Sequence, residues 1–182
     1  MSAAQIRYSN VAVILHWLIA ALVLWNVGVV FLTGEEVPPA LMESHKAAGI
    51  TVLALSLVRV GWRLTHRWPP LSDHLAGWEK ALARTTHVLF YLLLFVVPLA
   101  GWIMVSAGRG DPVSWFGLFD IPALPVARSR ETAGLFYEVH EYAAFFMIGL
   151  LILHIGGALK HSFIDRAPGL SRMWFGNAPP RG

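Results

Sequence analysis

Two histidines frame one long, mostly apolar stretch near the C-terminal end of the chain. His140 and His154 lie 14 positions apart within the run from His140 to Lys160. Over 14 residues a helix rises about 21 Å and returns to within about 40° of its starting direction, so both imidazoles project from one face. Two potential metal ligands at two depths of one helix indicate two cofactor sites stacked along it.

The element that carries these histidines is predicted to be a membrane helix. The 182 residues are 56% hydrophobic and only 14% charged, whereas soluble domains carry about 25% charged residues. The apolar runs are continuous rather than alternating, which favours helices over a β-barrel. We therefore predict an all-α integral membrane protein whose residues 1–182 form a single four-helix bundle.

Apolar runs bounded by polar or turn residues predict four membrane helices and one surface segment. The helices are expected over residues 11–33, 44–64, 82–105 and 134–160, and the tail over residues 166–176 is expected on the membrane surface.

Charge sets the predicted orientation of the bundle. Most Lys and Arg residues lie at the termini and in the connection between the second and third helices, while most acids lie on the other side. The positive-inside rule then places both termini in the cytoplasm. The connection 106–132 lies outside, and its aromatic residues suit the membrane interface.

Histidine is the residue on which any metal or haem must rest. The chain has no cysteine, which excludes disulfides, thiolate-bound iron–sulfur clusters and covalent haem attachment through Cys-x-x-Cys-His. The net charge of +3 comes without a basic stripe, so nucleic acid is not an expected partner.

Depth sorts the histidines of the helices into two layers. The first and third helices start on the cytoplasmic side, and the second and fourth start outside. His45 and His140 therefore share the outer layer, and His154 lies deeper by about 21 Å. The inner half contains four histidines, the last of them at the membrane edge: His16, His87, His154 and His161.

Each layer offers two imidazoles from different helices, which can bind one haem iron from opposite sides. Arg59 lies at the depth of the inner layer and Arg63 follows one turn later. A buried arginine is costly in lipid unless it is paired, and a haem propionate is a suitable partner. A single intramembrane histidine can instead form a helix–helix hydrogen bond, and for His87 that alternative stays open.

The order and local sequences of these residues resemble the bacterial cytochrome b561 family. They are also similar to the wider group of di-haem cytochrome b subunits of nickel–iron hydrogenases and formate dehydrogenases. The resemblance covers nearly the whole chain and rests on ILHWL at His16, SHKAAG at His45, LVRVGWR at Arg59 and Arg63, HVLFY at His87, and the pair His140 and His154.

The resemblance implies two non-covalent b-type haems in a multi-pass protein of the bacterial inner membrane. It implies that His16 pairs with His154 and that His45 pairs with His140. It further implies electron transport between an outer donor and the quinone pool. For free-standing members it implies a superoxide:ubiquinone oxidoreductase.

Candidate residues lie at both ends of such a path. Superoxide is a small anion that benefits from positive steering, and Arg109, Arg128 and Arg130 are candidates for it in the outer connection. On the inner side, His87 or His161 is a candidate proton donor or hydrogen-bond partner for a quinone carbonyl.

Two other functions fit the sequence. The protein can be the cytochrome b subunit that takes electrons from a partner dehydrogenase or hydrogenase, with outer aromatic residues as the docking surface. A small channel or transporter that uses polar helix residues is the third possibility, and it predicts no haem. The expected partners are membrane lipid, a quinone, and either superoxide or a redox partner protein.

Overall fold

Four long helices run alternately up and down and make up most of the structure. The computed structural model describes residues 7–34, 36–66, 76–165 and 170–174. Its elements are α1 (Asn10–Thr33), α2 (Pro39–Thr65), α3 (Gly77–Gly108), β1 (Val113–Trp115), β2 (Phe119–Ile121) and α4 (Arg130–Leu159), then a π-helical turn (Lys160–Ile164) and a 3-10 turn (Leu170–Met173). All four α-helices are long and apolar enough to cross a membrane, which confirms the predicted all-α four-helix membrane fold.

Hydrogen bonds between helix ends define the two ends of the bundle. At the end where α1 begins, which we call the inner end, Trp62 Nε1 of α2 donates to Ser9 Oγ before α1 at 3.0 Å. At the opposite, outer end, Trp25 Nε1 of α1 donates to Ser44 Oγ of α2 at 3.3 Å. The backbone N–H of Ser129 before α4 donates to the carbonyl of Ala107 in α3 at 2.9 Å.

The helices extend beyond the predicted boundaries, because their capped ends reach past the apolar runs. α2 begins at Pro39 rather than at residue 44, with proline in the first turn, where its missing N–H costs nothing. α3 spans 77–108 rather than 82–105. α4 begins at residue 130 rather than 134, since Ser129 Oγ accepts the N–H of Thr132 at 3.2 Å.

The predicted tail is seen in part. Residues 170–173 form a 3-10 turn that lies against the start of α1, where Trp17 Nε1 donates to the carbonyl of Met173 at 2.8 Å. The remainder of the predicted segment 166–176, residues 166–169 and 175–176, lies outside the described residues.

An apolar core joins all four helices at mid-depth. It is built from Ile19 and Val23 of α1, Val52 of α2, Leu93, Leu94 and Val97 of α3, and Met147 and Leu150 of α4. Met147 lies seven residues from both His140 and His154, so this core separates the two histidine levels.

The outer connection contains a small β-hairpin that the sequence did not reveal. β1 pairs antiparallel with β2, and the turn between them uses positive φ angles at Phe116 (50°) and Gly117 (75°). Trp115 Nε1 donates to Thr51 Oγ1 of α2 at 2.9 Å, which fixes the hairpin on the bundle. Strands of three residues are too short to show an alternating pattern in sequence.

We predict that Thr51→Val loosens this hairpin without changing the bundle. The variant keeps the side-chain shape but removes the acceptor for Trp115, and a lost hydrogen bond costs about 0.5–1.5 kcal/mol. Thr33→Val is the matched control, because the Thr33 hydroxyl donates only to Val29 of its own helix. Amide hydrogen exchange over residues 113–121 should rise in Thr51→Val and not in Thr33→Val; equal exchange in both variants would contradict the anchoring role.

Candidate functional site

The outer pair consists of His45 on α2 and His140 on α4. Their ring centroids are 6.0 Å apart and their planes are inclined by 70°. His140 Nδ1 lies 2.8 Å from the carbonyl oxygen of Val97, which can only accept, so Nδ1 carries the proton and Nε2 has a free lone pair. A backbone carbonyl that fixes the tautomer in this way is typical of metal-binding histidines.

Gly101 makes room for the His140 ring on α3. A Cβ at this position would lie 3.1 Å from His140 Nδ1 and 3.2 Å from Cε1, closer than the ring permits without moving. Val97 and Gly101 are one turn apart on α3, so this helix both orients the His140 ring and leaves space for it.

The inner pair consists of His16 on α1 and His154 on α4. Their ring centroids are 6.2 Å apart and their planes are inclined by 71°. Phe90 and His87 of α3 also contact His154, with ring centroids at 5.5 Å and 5.6 Å. His154 is therefore flanked by two imidazoles, of which His16 is half-buried and His87 is exposed.

The spacing of both pairs fits two imidazoles that share one metal. Two imidazoles that each bound one first-row metal through a ring nitrogen at about 2.0–2.1 Å would have ring centroids up to about 6.4 Å apart. The observed 6.0 Å and 6.2 Å approach that value. Close helix packing occurs between α3 and α4, α1 and α2, and α2 and α3, whereas the pairs bridge α1 to α4 and α2 to α4. The residues of each pair could thus hold a metal-centred cofactor between two loosely packed helices.

Arg59 and Arg63 lie at the depth of the inner pair. Arg59 donates from Nη1 to the carbonyl of Ala12 at 2.9 Å and from Nε to the Tyr91 hydroxyl at 3.3 Å. The Arg63 guanidinium lies 5.5 Å from the centroid of the Tyr91 ring. Both arginines contact Tyr91 of α3. That they bind haem propionates remains a prediction.

The three outer arginines lie around the junction of α3 and α4. Arg109 follows the last residue of α3, Arg130 is the first residue of α4, and all three side chains are exposed. Arg128 packs on Gly110, where a Cβ would lie 2.7 Å from its Nε. Lys46, the other cation on this side, is paired with Glu43 at 2.5 Å.

His161 lies in a charged cluster at the inner end that the sequence reasoning missed. Its Nδ1 is 2.6 Å from Asp165 Oδ2, and Lys160 Nζ lies 2.8 Å from both Asp165 Oδ2 and Glu79 Oε1. Hydrogen bonds from Lys160 and then from His161 lower the pKa of Asp165, so its pairing holds at neutral pH and is lost only when the pH falls through that lowered pKa. The four-residue spacing of His161 and Asp165 is a sequence signal that could have revealed this contact.

Comparison with known proteins identifies the family to which the chain belongs. The family model described as prokaryotic cytochrome b561 matches residues 7–176, a range that includes every histidine of both pairs. Cytochrome b561 homolog 2 of Escherichia coli (strain K12) is 32% identical over 176 residues, which cover 92% of this chain and 90% of the relative. Cytochrome b561 homolog 1 of the same organism is 27% identical over 172 residues, covering 92% and 96%. The chain belongs to the prokaryotic cytochrome b561 family and is a multi-pass membrane protein for electron transfer by b-type haem.

Proposed function

We propose that this protein binds two b-type haems, one at each histidine pair, and acts as a superoxide:ubiquinone oxidoreductase in the bacterial inner membrane. The observation that carries the proposal is the repeated geometry of the pairs, with ring centroids at 6.0 Å and 6.2 Å. Their members on α4 are separated by about 21 Å, most of the hydrocarbon thickness of a bilayer. Bound haem supplies reversible one-electron chemistry at both depths.

In the proposed reaction two one-electron donors reduce one two-electron acceptor. Two superoxide anions each lose one electron and leave as O₂. One ubiquinone gains these two electrons and two protons and leaves as ubiquinol. The chain must therefore attract an anion at its outer end and supply protons at its inner end.

Arg109, Arg128 and Arg130 support the outer half of this proposal. They are exposed around the α3–α4 junction, at the same end as the outer pair His45 and His140. The charge of Lys46 is offset by Glu43, so these three guanidiniums carry the local positive field. Exposed charges are screened beyond about 8–10 Å, so the arginines act over a short range, and Asp111 and Glu131 offset part of their charge.

His87 supports the inner half. The ring centroids of His87 and His154 are 5.6 Å apart. His87 is exposed on the side of the bundle, where a lipid-soluble quinone can reach it. An imidazole there can donate a hydrogen bond to a quinone carbonyl. We accordingly propose that His16 and His154 would hold the inner haem and that His87 would bind the quinone.

The exposed hairpin tip favours a second candidate function. Leu118 and Phe119 are 74% and 57% exposed at the outer end. They offer a surface on which a partner dehydrogenase or hydrogenase can dock, with electrons then entering from that protein instead of from superoxide.

Stopped-flow spectroscopy of the purified haem-loaded protein tests the proposed function. A superoxide pulse should reduce the haem absorption bands, and a ubiquinone analogue should then re-oxidise them. Absence of reduction by superoxide would favour the partner-protein alternative. A preparation that folds without binding haem would refute both redox functions.

We predict that His140→Ala removes one haem per protein and leaves the other. The variant deletes one imidazole of the outer pair and does not touch the inner pair. His66→Ala is the control, since His66 is exposed, stacks on Trp62 and belongs to neither pair. Haem quantitation should give half the wild-type content for His140→Ala and full content for His66→Ala; loss of both haems or of neither would contradict the pairing.

We also predict that the outer arginines accelerate superoxide oxidation electrostatically. A variant with Arg109→Gln, Arg128→Gln and Arg130→Gln should be reduced by superoxide several-fold more slowly at low salt. Its rate and that of the wild type should converge at high salt, where the field is screened. Arg84→Gln, which alters an exposed arginine near the start of α3, is the control and should match the wild type. A wild-type rate independent of salt would refute steering.

A further inference from the structure

The two imidazoles of the outer pair differ in what holds them. His140 Nδ1 bonds to the carbonyl oxygen of Val97 on α3 at 2.8 Å. His45 Nδ1 is buried, and among the described residues it has no well-formed hydrogen bond. A buried donor without a partner costs free energy, and a histidine that binds a metal through Nε2 normally donates its other N–H. One hydrogen bond is therefore missing from the outer pair.

An atom that could complete this bond lies on the neighbouring helix. Asn26 of α1 has a side-chain oxygen, Oδ1, that is also buried and also without a partner in the described part of the chain. An amide oxygen can only accept a hydrogen bond, whereas the Nδ1–H of a histidine that binds a metal through Nε2 can only donate one. The two unsatisfied atoms are thus of opposite kind, and one bond between them would satisfy both.

Two contacts place Asn26 beside His45. The His45 ring interacts with the backbone of Asn26, although no hydrogen bond of good geometry joins them. The Asn26 amide lies over Gly49, where a Cβ would be 3.8 Å from Nδ2. Gly49 is one turn after His45, so the amide and the ring lie along the same face of α2. The close packing of α1 against α2 holds this arrangement.

Other polar side chains near the outer pair are either donors or already engaged. Trp102 Nε1 is buried without a partner in the described residues, but an indole N–H can only donate. The Ser44 hydroxyl accepts from an indole of α1 and donates to the backbone of its own helix. The Thr51 hydroxyl likewise accepts from the hairpin and donates to its own helix. Asn26 Oδ1 is the unused acceptor in this group.

We propose that Asn26 is the positioning residue of His45, and that its side-chain oxygen accepts the Nδ1–H of His45 in the haem-loaded protein. The bond fixes the tautomer in which Nε2 is free to bind iron, and it makes the ring a stronger electron donor. A stronger donor stabilises ferric over ferrous iron, so Asn26 lowers the reduction potential of the outer haem. The inference rests on the haem-binding part of the proposed function and does not depend on the superoxide reaction.

The test compares two replacements of Asn26 by redox titration of the haem absorption bands. Asn26→Leu keeps the approximate volume but removes the acceptor, so the midpoint potential of the outer haem should rise. The affinity of the outer site for haem should also fall by about 10–100-fold. Asn26→Asp keeps an oxygen at the same position, so the outer haem should be retained with a midpoint equal to or below that of the wild type. The outer midpoint is the one that His140→Ala lacks.

Trp25→Phe is the matched control. It removes the hydrogen bond from Trp25 to Ser44, which joins the same two helices at the same end but involves neither Asn26 nor His45. Both midpoints should keep their wild-type values in this variant, and the inner midpoint should be unchanged in all three. A shift of both midpoints in Asn26→Leu, or an equal shift in Trp25→Phe, would show that Asn26 only packs the helices together and would overturn the proposal.

Pulsed electron paramagnetic resonance gives a second readout, because the quadrupole coupling of the imidazole nitrogen remote from iron changes with the hydrogen bond on its proton. This coupling should change for the outer haem in Asn26→Leu and be preserved in Trp25→Phe. An unchanged coupling or an unchanged outer midpoint in Asn26→Leu would refute the role of Asn26, and a raised outer midpoint in Asn26→Asp would contradict it independently. Wild-type protein without a haem at the outer pair would instead refute the two-haem proposal, and this inference with it.

Discussion

A histidine inside a membrane must find a partner for its ring nitrogens, and this requirement governs the structure. α4 carries two such residues at two depths, His140 and His154, and the other three helices are arranged around them. α1 and α2 each contribute one opposing imidazole. α3 contributes the carbonyl of Val97 and the space at Gly101 for the outer ring. It also places Phe90 and His87 beside the inner ring.

The same arrangement explains why the bundle packs unevenly. α3 and α4 pack closely, and so do α1 and α2, while the two histidine pairs cross the more open interfaces. The apolar core around Met147 lies between the pairs and joins all four helices at mid-depth. The apolar core and the two histidine pairs thus occupy different levels of one bundle.

Sequence sufficed for the parts of the fold that depend on long apolar runs and regular spacing. Hydropathy predicts the four helices. The 14-residue interval predicts that His140 and His154 lie at two levels on one face of α4. The positions of the helix ends could not be predicted from hydropathy, because they depend on capping by Ser129 and on the proline at residue 39. The hairpin at 113–121 was missed because its strands have three residues each and its hydrogen bond to Thr51 joins residues that are distant in sequence. The charged cluster around His161 was missed because the contact between Glu79 and Lys160 joins residues that are distant in sequence.

The two ends of the protein differ in a way that suits electron flow from outside to inside. The outer end presents exposed arginines and a hairpin, and the inner end presents an exposed imidazole and a hydrogen-bonded set of titratable groups. An anion needs only attraction, whereas a quinone that becomes quinol needs protons as well. The residues at each end are thus of the kind that the proposed reaction requires there.

The central claim is that each histidine pair binds its own haem. The direct measurement is the ratio of haem to polypeptide in purified wild-type protein, taken together with its low-temperature electron paramagnetic resonance spectrum. We expect two haems per chain and two low-spin ferric signals, one for each histidine pair. A ratio of one haem per chain with a single low-spin signal would contradict it.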